Sequence, residues 1–181
     1  MITMTKDQLE MNKSYNHGAT GIIVSGLMWL TASIVALNYS SKSAIWTLLI
    51  GGALIHPIST AINKLIGVTG RAEKSNPLVG LALEGTIFML MCIPLAYGLS
   101  LQRAEWFFYG MLMIIGGRYL TFNTIFGNRL FWALGATLGF SGYFLFKLDA
   151  QPFISAFTGS IIEIFFGILI LILSRKQMKN K

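Results

Sequence analysis

The chain has 181 residues, of which 54% are hydrophobic and 12% are charged, and its formal net charge is +7. This composition lies outside the usual range for a soluble domain, and the apolar residues form runs of about twenty, which predicts membrane-spanning helices. The positive charge does not indicate nucleic acid as a partner, because the basic residues occupy short loops and tails rather than one contiguous face.

The first 18 residues are polar and are predicted to form a cytoplasmic segment beside the membrane. Thr5 and Gln8 have the spacing of a capping box, in which two side chains close the start of a helix. Gly18 is suited to end that helix, because glycine adopts the left-handed conformation at little cost. The segment is therefore expected to contain one short helix.

Six long apolar runs follow, and short connectors join them. Because a run of about twenty apolar residues crosses a bilayer as an α-helix, we predict an all-α integral membrane protein, a six-helix transmembrane bundle. The short connectors predict that consecutive helices are antiparallel neighbours. The spans are expected at residues 19–37, 44–62, 78–99, 106–122, 130–146 and 153–173, within a transmembrane domain of residues 19–174 that precedes a basic cytoplasmic tail, 175–181.

The Lys and Arg residues are divided unequally between the two sides of such a bundle. Eleven of the 14 lie in or beside the tails and connectors that share a side with both termini, whereas Lys42, Arg103 and Lys147 lie on the other side. Positive residues accumulate in cytoplasmic loops, so this asymmetry predicts that both termini are cytoplasmic. The first span, with about nineteen apolar residues, exceeds the 7–15 of a signal-peptide core and is expected to remain as an anchor.

Small residues recur at helical spacing in three of the predicted spans. They are Gly21, Ser25, Ala32 and Ala36 in the first span, Gly135, Gly139 and Gly142 in the fifth, and Gly159 and Gly167 on either side of Glu163 in the sixth. Such faces allow helix backbones to approach closely in lipid. They indicate either packing inside the bundle or a contact with a second copy or a partner membrane protein, and the sequence leaves both open.

Four ionisable residues lie within the predicted spans: His56, Glu84, Arg118 and Glu163. A charge in hydrocarbon costs about 2.5–3.5 kcal/mol on insertion scales, so such residues normally pair or line a polar cavity. In an antiparallel hairpin, residues equidistant from the turn lie at similar depth, which places Glu84 and Arg118 in one layer with His56. The same reasoning places Glu163 one helical turn, about 6 Å, from that layer. We therefore predict a ligand or proton site built from these four residues.

Two functions fit this pattern. In the first, the four residues form the polar site of a transporter-like protein or of a protein that binds a small molecule or a lipid headgroup. In the second, Glu84 and Arg118 form a structural ion pair, and the protein is a structural or accessory membrane subunit without its own activity. An open cavity that reaches the charged layer favours the first function. A sealed layer with an exposed small-residue face favours the second.

The sequence contains no recognisable catalytic or cofactor motif. His17 and His56 lie at different depths, which does not support a bis-histidine haem or a zinc site. Neither a serine-nucleophile motif with a plausible base nor a phosphate-binding loop occurs. Cys92 lies in an apolar span, where a thiol typically packs as a small hydrophobic group. No catalytic residue, metal or cofactor is therefore expected.

Three segments carry a resemblance to other sequences: LIHPISTAINKLIGV at 54–68, NPLVGLALEG at 76–85 and GGRYLTFNTIFGNRLFW at 116–132. They resemble an uncharacterised bacterial family of small membrane proteins with about six spans, a domain of unknown function. Similar sequences carry His at the position of Arg118 and Pro at that of Thr121, so the predicted ion pair is not expected throughout that family. The resemblance implies six helices in a bacterial inner membrane and supplies no activity.

Overall fold

The structure, a computed structural model, describes residues 4–179 and is all-α within them. Its helices are α1 (Lys6–Ser14), α2 (Ala19–Asn38), α3 (Ser41–Leu65), α4 (Pro77–Ser100), α5 (Ala104–Phe126), α6 (Leu130–Lys147) and α7 (Pro152–Lys179). Each of the six long helices contains one of the predicted apolar runs. Residues 1–3 and 180–181, the outermost parts of the predicted N-terminal segment and basic tail, lie outside the described residues.

Four helices in the described part of the chain are long and apolar enough to cross a membrane, namely Asn16–Asn38, Ser41–Leu65, Pro77–Ser100 and Pro152–Lys176. Helix α5 carries Glu105 and Arg118, which lower its mean hydropathy, and α6 has only 18 residues and ends at Lys147. The all-α prediction is confirmed, and the apolar helices indicate a membrane protein. Length and composition alone do not establish six spans.

Two helix pairs form the centre of the bundle. Helix α2 packs along α7, and α5 packs along α6, while α3 lies against α2 and α4 lies against α5 at the edges. The prediction that consecutive helices are neighbours is wrong for α3 and α4, which do not pack along each other. They meet where the rings of Trp46 and Tyr97 lie 6.0 Å apart between centroids.

Helix α1 is held against the C-terminal end of α5. The predicted capping box is confirmed, because Thr5 and Gln8 exchange hydrogen bonds of 3.1 and 3.2 Å. The side-chain amide of Gln8 donates to the carbonyl of Thr124 at 2.8 Å, and that of Asn12 donates to the carbonyl of Phe126 at 2.9 Å. Since the last carbonyls of a helix have no partner within it, α1 supplies donors for two of the end carbonyls of α5.

The chain between α1 and α2 differs from the sequence expectation. Helix α1 ends at Ser14 rather than at Gly18, because Asn16 and His17 both adopt positive φ, 50° and 57°. The Nδ1–H of His17 donates to Oδ1 of Asn12 at 2.8 Å, which fixes this turn against α1. Gly18, with φ of 76°, then provides the left-handed residue from which α2 starts.

The connector between α3 and α4 follows the surface of α1. The carboxylate of Glu10 accepts a hydrogen bond from the N–H of Glu73 at 2.6 Å and another from the side-chain amide of Asn76 at 2.5 Å. These bonds lower the pKa of Glu10 below its ordinary value. Because the lowered pKa belongs to the folded state, the contact stabilises the docked helix above the ordinary carboxylate range and is lost as the pH falls through the lowered pKa.

Glycines allow the central helices to approach closely. A Cβ on Gly135 of α6 would lie only 2.5 Å from the carbonyl oxygen of Gly116 on α5. On α7, Gly159 packs against the ring of Trp29, and Gly167 packs against Ile23, both on α2. Gly135, Gly142, Gly159 and Gly167 therefore serve packing inside the bundle, which is one of the two roles that the sequence left open.

We expect Gly135→Ala to destabilise the protein by about 1–3 kcal/mol, because the added methyl group overpacks the contact with Gly116. Gly139→Ala is the matched control on the same helix, since a Cβ at Gly139 meets nothing within 4 Å. The control should be neutral or slightly stabilising, as alanine favours helix. Denaturant unfolding in mixed micelles measures both variants. Equal destabilisation by the two would show that the Gly135 contact does not limit packing.

Candidate functional site

Glu163 lies at the centre of the bundle, where α2, α5 and α7 meet. Its side chain is 0% exposed, and its Oε1 accepts a hydrogen bond of 3.0 Å from the hydroxyl of Tyr119 on α5. Ser25 on α2 lies beside both the carboxyl of Glu163 and the hydroxyl of Tyr119. The expectation from the flanking glycines, that Glu163 faces the bundle interior, is confirmed.

Several buried polar atoms around this carboxyl have no hydrogen-bond partner among the described residues. They are Oε2 of Glu163, Nε1 of Trp29 and Nε of Arg118. Trp29 of α2 packs on Gly159, one helical turn from Glu163 on α7, so the indole donor and the carboxyl acceptor belong to the same interface between α2 and α7. Because buried polar groups are normally satisfied, this cluster is unlike ordinary helix packing.

Arg118 precedes Tyr119 on α5 and points towards α4. Its guanidinium donates to the hydroxyl of Thr86 at 3.0 Å and contacts the sulfur of Met89 at 3.6 Å. The guanidinium carbon also lies 5.4 Å from the centre of the Phe122 ring, an arrangement that favours a cation. Within residues 4–179, Arg118 forms no ion pair, since the ion pairs found there belong to Arg103.

The predicted ion pair between Glu84 and Arg118 is therefore not formed. Glu84 is exposed on the outer side of α4. At 3.6 residues per turn, it lies about 200° around that helix from Thr86, which faces Arg118. The hairpin register also differs, because Gly85 lies against Thr121 rather than against Arg118. The predicted depth of Glu84 relative to Arg118 was therefore wrong by about one helical turn. Hairpin symmetry also does not predict the direction in which a side chain points around its helix.

His56 is also exposed, on α3. It was predicted to share one polar face with Gly52, Ser59 and Asn63, and the structure divides that face. Ser59 and Asn63 are buried, whereas Gly52 and His56 are exposed, because α3 is covered as far as Gly51 and again from Ser59, and none of residues 52–58 is buried. Of the four predicted site residues, the structure brings Arg118 and Glu163 to the same region and places His56 and Glu84 on outer surfaces.

Tyr119 and Trp29 were not predicted from the sequence as members of the site. Both are aromatic, and aromatic residues in membrane spans are usually packing residues, so neither stands out in the sequence. The position of Tyr119 directly after Arg118 was the available signal. Ser25 was noted only as a small residue. Consecutive residues of α5 thus make polar contacts with two different helices, α4 through Arg118 and α7 through Tyr119.

Two cavities lie away from Glu163 and Arg118. A cavity of about 510 Å³ lies between α2 and α3, and another of about 380 Å³ lies at the C-terminal end of α3, and neither is lined by Glu163 or Arg118. In the described part of the chain, no three His, Cys, Asp or Glu residues are grouped as a metal site would require. The carboxyl of Glu163 is fully buried, and Gly135, Gly142, Gly159 and Gly167 of the small-residue faces pack inside the bundle rather than on its surface.

A double-mutant cycle distinguishes the observed partner of Arg118 from the predicted one. We expect Arg118→Ala and Thr86→Val to be coupled by about 0.5–2 kcal/mol, because each removes one side of the same interhelical hydrogen bond. Arg118→Ala and Glu84→Gln should be additive within about 0.5 kcal/mol. Unfolding free energies of six proteins in mixed micelles, the wild type, the three single variants and the two double variants, supply both cycles. Strong coupling to Glu84 would restore the ion pair.

Comparison with known proteins gives a family but no activity. No curated protein matches the chain, and no solved structure does. The match to a family covers residues 4–173, a range that includes the three resembling segments and every candidate site residue. The chain belongs to DUF7010, a family of unknown function.

Proposed function

We propose that the protein is a multi-pass protein of a bacterial inner membrane, with six spans and both termini in the cytoplasm. The unequal division of basic residues supports this orientation. The packing of α5 between α4 and α6 supports α5 and α6 as spans beside the more apolar helices. With 23 and 18 residues, they extend about 34 and 27 Å, close to the roughly 30 Å of the hydrocarbon core.

Cysteine labelling tests this topology in a Cys92→Ala background. Ser75 and Gln102 are both exposed and lie in connectors at opposite ends of the bundle. A membrane-impermeant maleimide should label Gln102→Cys in intact cells and should label Ser75→Cys only after permeabilisation. The reverse pattern would invert the proposed orientation, and labelling of both in intact cells would contradict an odd number of spans between them.

We further propose that the protein acts through an intramembrane proton-binding site centred on Glu163, as a small transporter-like protein. The observation that carries this proposal is the fully buried carboxyl with one oxygen unpartnered. A structural acid would be expected to have both oxygens satisfied, because an unpaired buried acceptor is costly. Buried ionisable residues in membrane helices typically mark ion or proton pathways.

The arrangement around Glu163 suggests how a proton is exchanged. Oε1 is held by the hydroxyl of Tyr119, which leaves Oε2 as the oxygen able to gain or lose the proton. Loss of the proton creates a negative charge that needs a donor or cation nearby. Arg118 lies near enough for its charge to act on Glu163, and its guanidinium is bound only to neutral groups on α4. Arg118 is therefore the group positioned to respond to the charge on Glu163.

Proton flux into proteoliposomes tests the role of Glu163. With a potassium-driven membrane potential and an internal pH indicator, the wild-type protein should acidify the lumen faster than protein-free vesicles do. Glu163→Gln should reduce this flux to the protein-free level, because the amide keeps the shape of the carboxyl but cannot release a proton.

Glu84→Gln is the matched control, since Glu84 is the carboxylate on the exposed face of α4. It should keep the wild-type flux. Infrared difference spectra during a pH titration supply a second readout, because only Glu163→Gln should remove a buried carboxyl band. Wild-type flux and an unchanged spectrum in folded Glu163→Gln would overturn the proposal.

A second function is favoured by the outer face of α4. None of the residues in its apolar window is buried, and Glu84 is exposed next to Gly80, where a Cβ would meet nothing within 4 Å. A carboxylate at this position is costly in contact with hydrocarbon. It would be satisfied by a partner helix that carries Lys, Arg or His at the same depth, as in an accessory membrane subunit. This function becomes the leading one if proton flux does not depend on Glu163.

A further inference from the structure

A separate polar pocket lies where α3 ends. It has a volume of about 380 Å³ and is lined by Thr60, Lys64, Thr69, Gly70 and Arg71. Gly70 closes one side, because its backbone has φ of 67° and a Cβ there would lie 3.1 Å from the methyl group of Thr60. The pocket therefore combines two basic side chains and two hydroxyl groups around a connector that passes very close to the helix.

The two basic residues of this pocket have no acidic partner. Neither the ammonium of Lys64 nor the guanidinium of Arg71 forms a hydrogen bond or an ion pair within residues 4–179. The acidic residues nearest in the connector and in α1 are engaged elsewhere. Glu10 accepts from Glu73 and Asn76, and the carboxylate of Glu73 accepts from Ser75 at 3.4 Å. The pocket thus carries a local positive charge that the protein does not neutralise.

The surroundings of the pocket are apolar on one side. Leu65 and Ile66 directly follow Lys64, and they are 86% and 53% exposed. On the other side of the pocket the connector is polar and exposed. Large exposed apolar side chains beside unpaired cations are typical of the boundary between the hydrocarbon and the headgroup layer of a membrane. A ligand here would meet charge at one end and apolar surface at the other.

We propose that this pocket binds a phosphate group, carried by the headgroup of an anionic phospholipid. Arg71 offers a planar set of donors that matches phosphate oxygens, and Lys64 offers a point charge. The hydroxyl of Thr60 supplies a further donor, whereas Thr69 already donates to the carbonyl of Arg71 at 3.1 Å. The adjacent Leu65 and Ile66 lie where the acyl chains of such a lipid would begin. The site is independent of Glu163 and of the proposed proton exchange.

Native mass spectrometry tests this site on the full chain, delipidated in detergent and titrated with phosphatidylglycerol. Lys64→Ala combined with Arg71→Ala should weaken phosphatidylglycerol binding by about thirtyfold, since each cation near an anionic headgroup contributes about 1 kcal/mol. The matched control, Lys74→Ala combined with Arg129→Ala, removes the same charge from exposed positions outside the pocket and should weaken binding much less.

A further variant tests whether the pocket itself binds the lipid, and competition experiments identify the ligand. Thr60→Val keeps the charge and the shape and should weaken binding only if the pocket itself holds the phosphate. Inorganic phosphate should not displace phosphatidylglycerol, and phosphatidylcholine should not compete with it. Displacement by inorganic phosphate alone would identify a soluble phosphate as the ligand and overturn the lipid assignment. Equal losses in the pocket pair and the control pair would mean diffuse surface charge and would overturn the site.

Discussion

The close approach of α2 and α7 is the contact on which the interior of the protein depends. Gly26 lies against Glu163 and Ile164, while Gly159 and Gly167 accept Trp29 and Ile23, so the two backbones meet at glycines over three successive turns. A larger distance between the backbones of α2 and α7 would open space around the side chain of Glu163. At the observed separation the carboxyl reaches the hydroxyl of Tyr119 on the third helix, which joins the two central helix pairs. The unpartnered oxygen of Glu163 and the unpartnered indole nitrogen of Trp29 thus lie on a closely packed interface between α2 and α7.

The positions of the helices were largely predictable, because a long apolar run predicts a helix of membrane-spanning length. The packing of the helices against each other was less predictable. From the sequence, residues 1–18 were predicted to form a segment beside the membrane. In the structure, α1 donates hydrogen bonds to the carbonyls of Thr124 and Phe126, and Glu10 of α1 accepts one from the N–H of Glu73 in the connector. The connector from α3 to α4 therefore runs along α1, bonded to Ser14 and Glu10. Connector length alone could not reveal this, because an eleven-residue connector can close a hairpin or wrap a third element.

The candidate site was predicted in part, and the reason is geometric. Hairpin symmetry gives the depth of a residue but not the direction of its side chain, so Glu84 was assigned to Arg118 although it lies on the opposite side of α4. Glu163 was oriented correctly because its flanking glycines add rotational information. His56 shared the same kind of stripe, but it lies in the part of α3, residues 52–58, where no residue is buried. Tyr119 and Trp29 could not be separated from packing aromatics without the positions of their polar atoms.

Consecutive residues of α5 connect α4 and α7, which share no other side-chain hydrogen bond among the described residues. Arg118 binds Thr86 on α4, and Tyr119 binds Glu163 on α7, about 100° further around the helix. A rotation of α5 that brings the guanidinium towards an ionised Glu163 must therefore lengthen its bond to α4. The charge on a buried carboxyl would in this way change the position of an outer helix whose surface carries Glu84. Such coupling needs no continuous cavity, only two arrangements of α5 that differ in which neighbour holds Arg118.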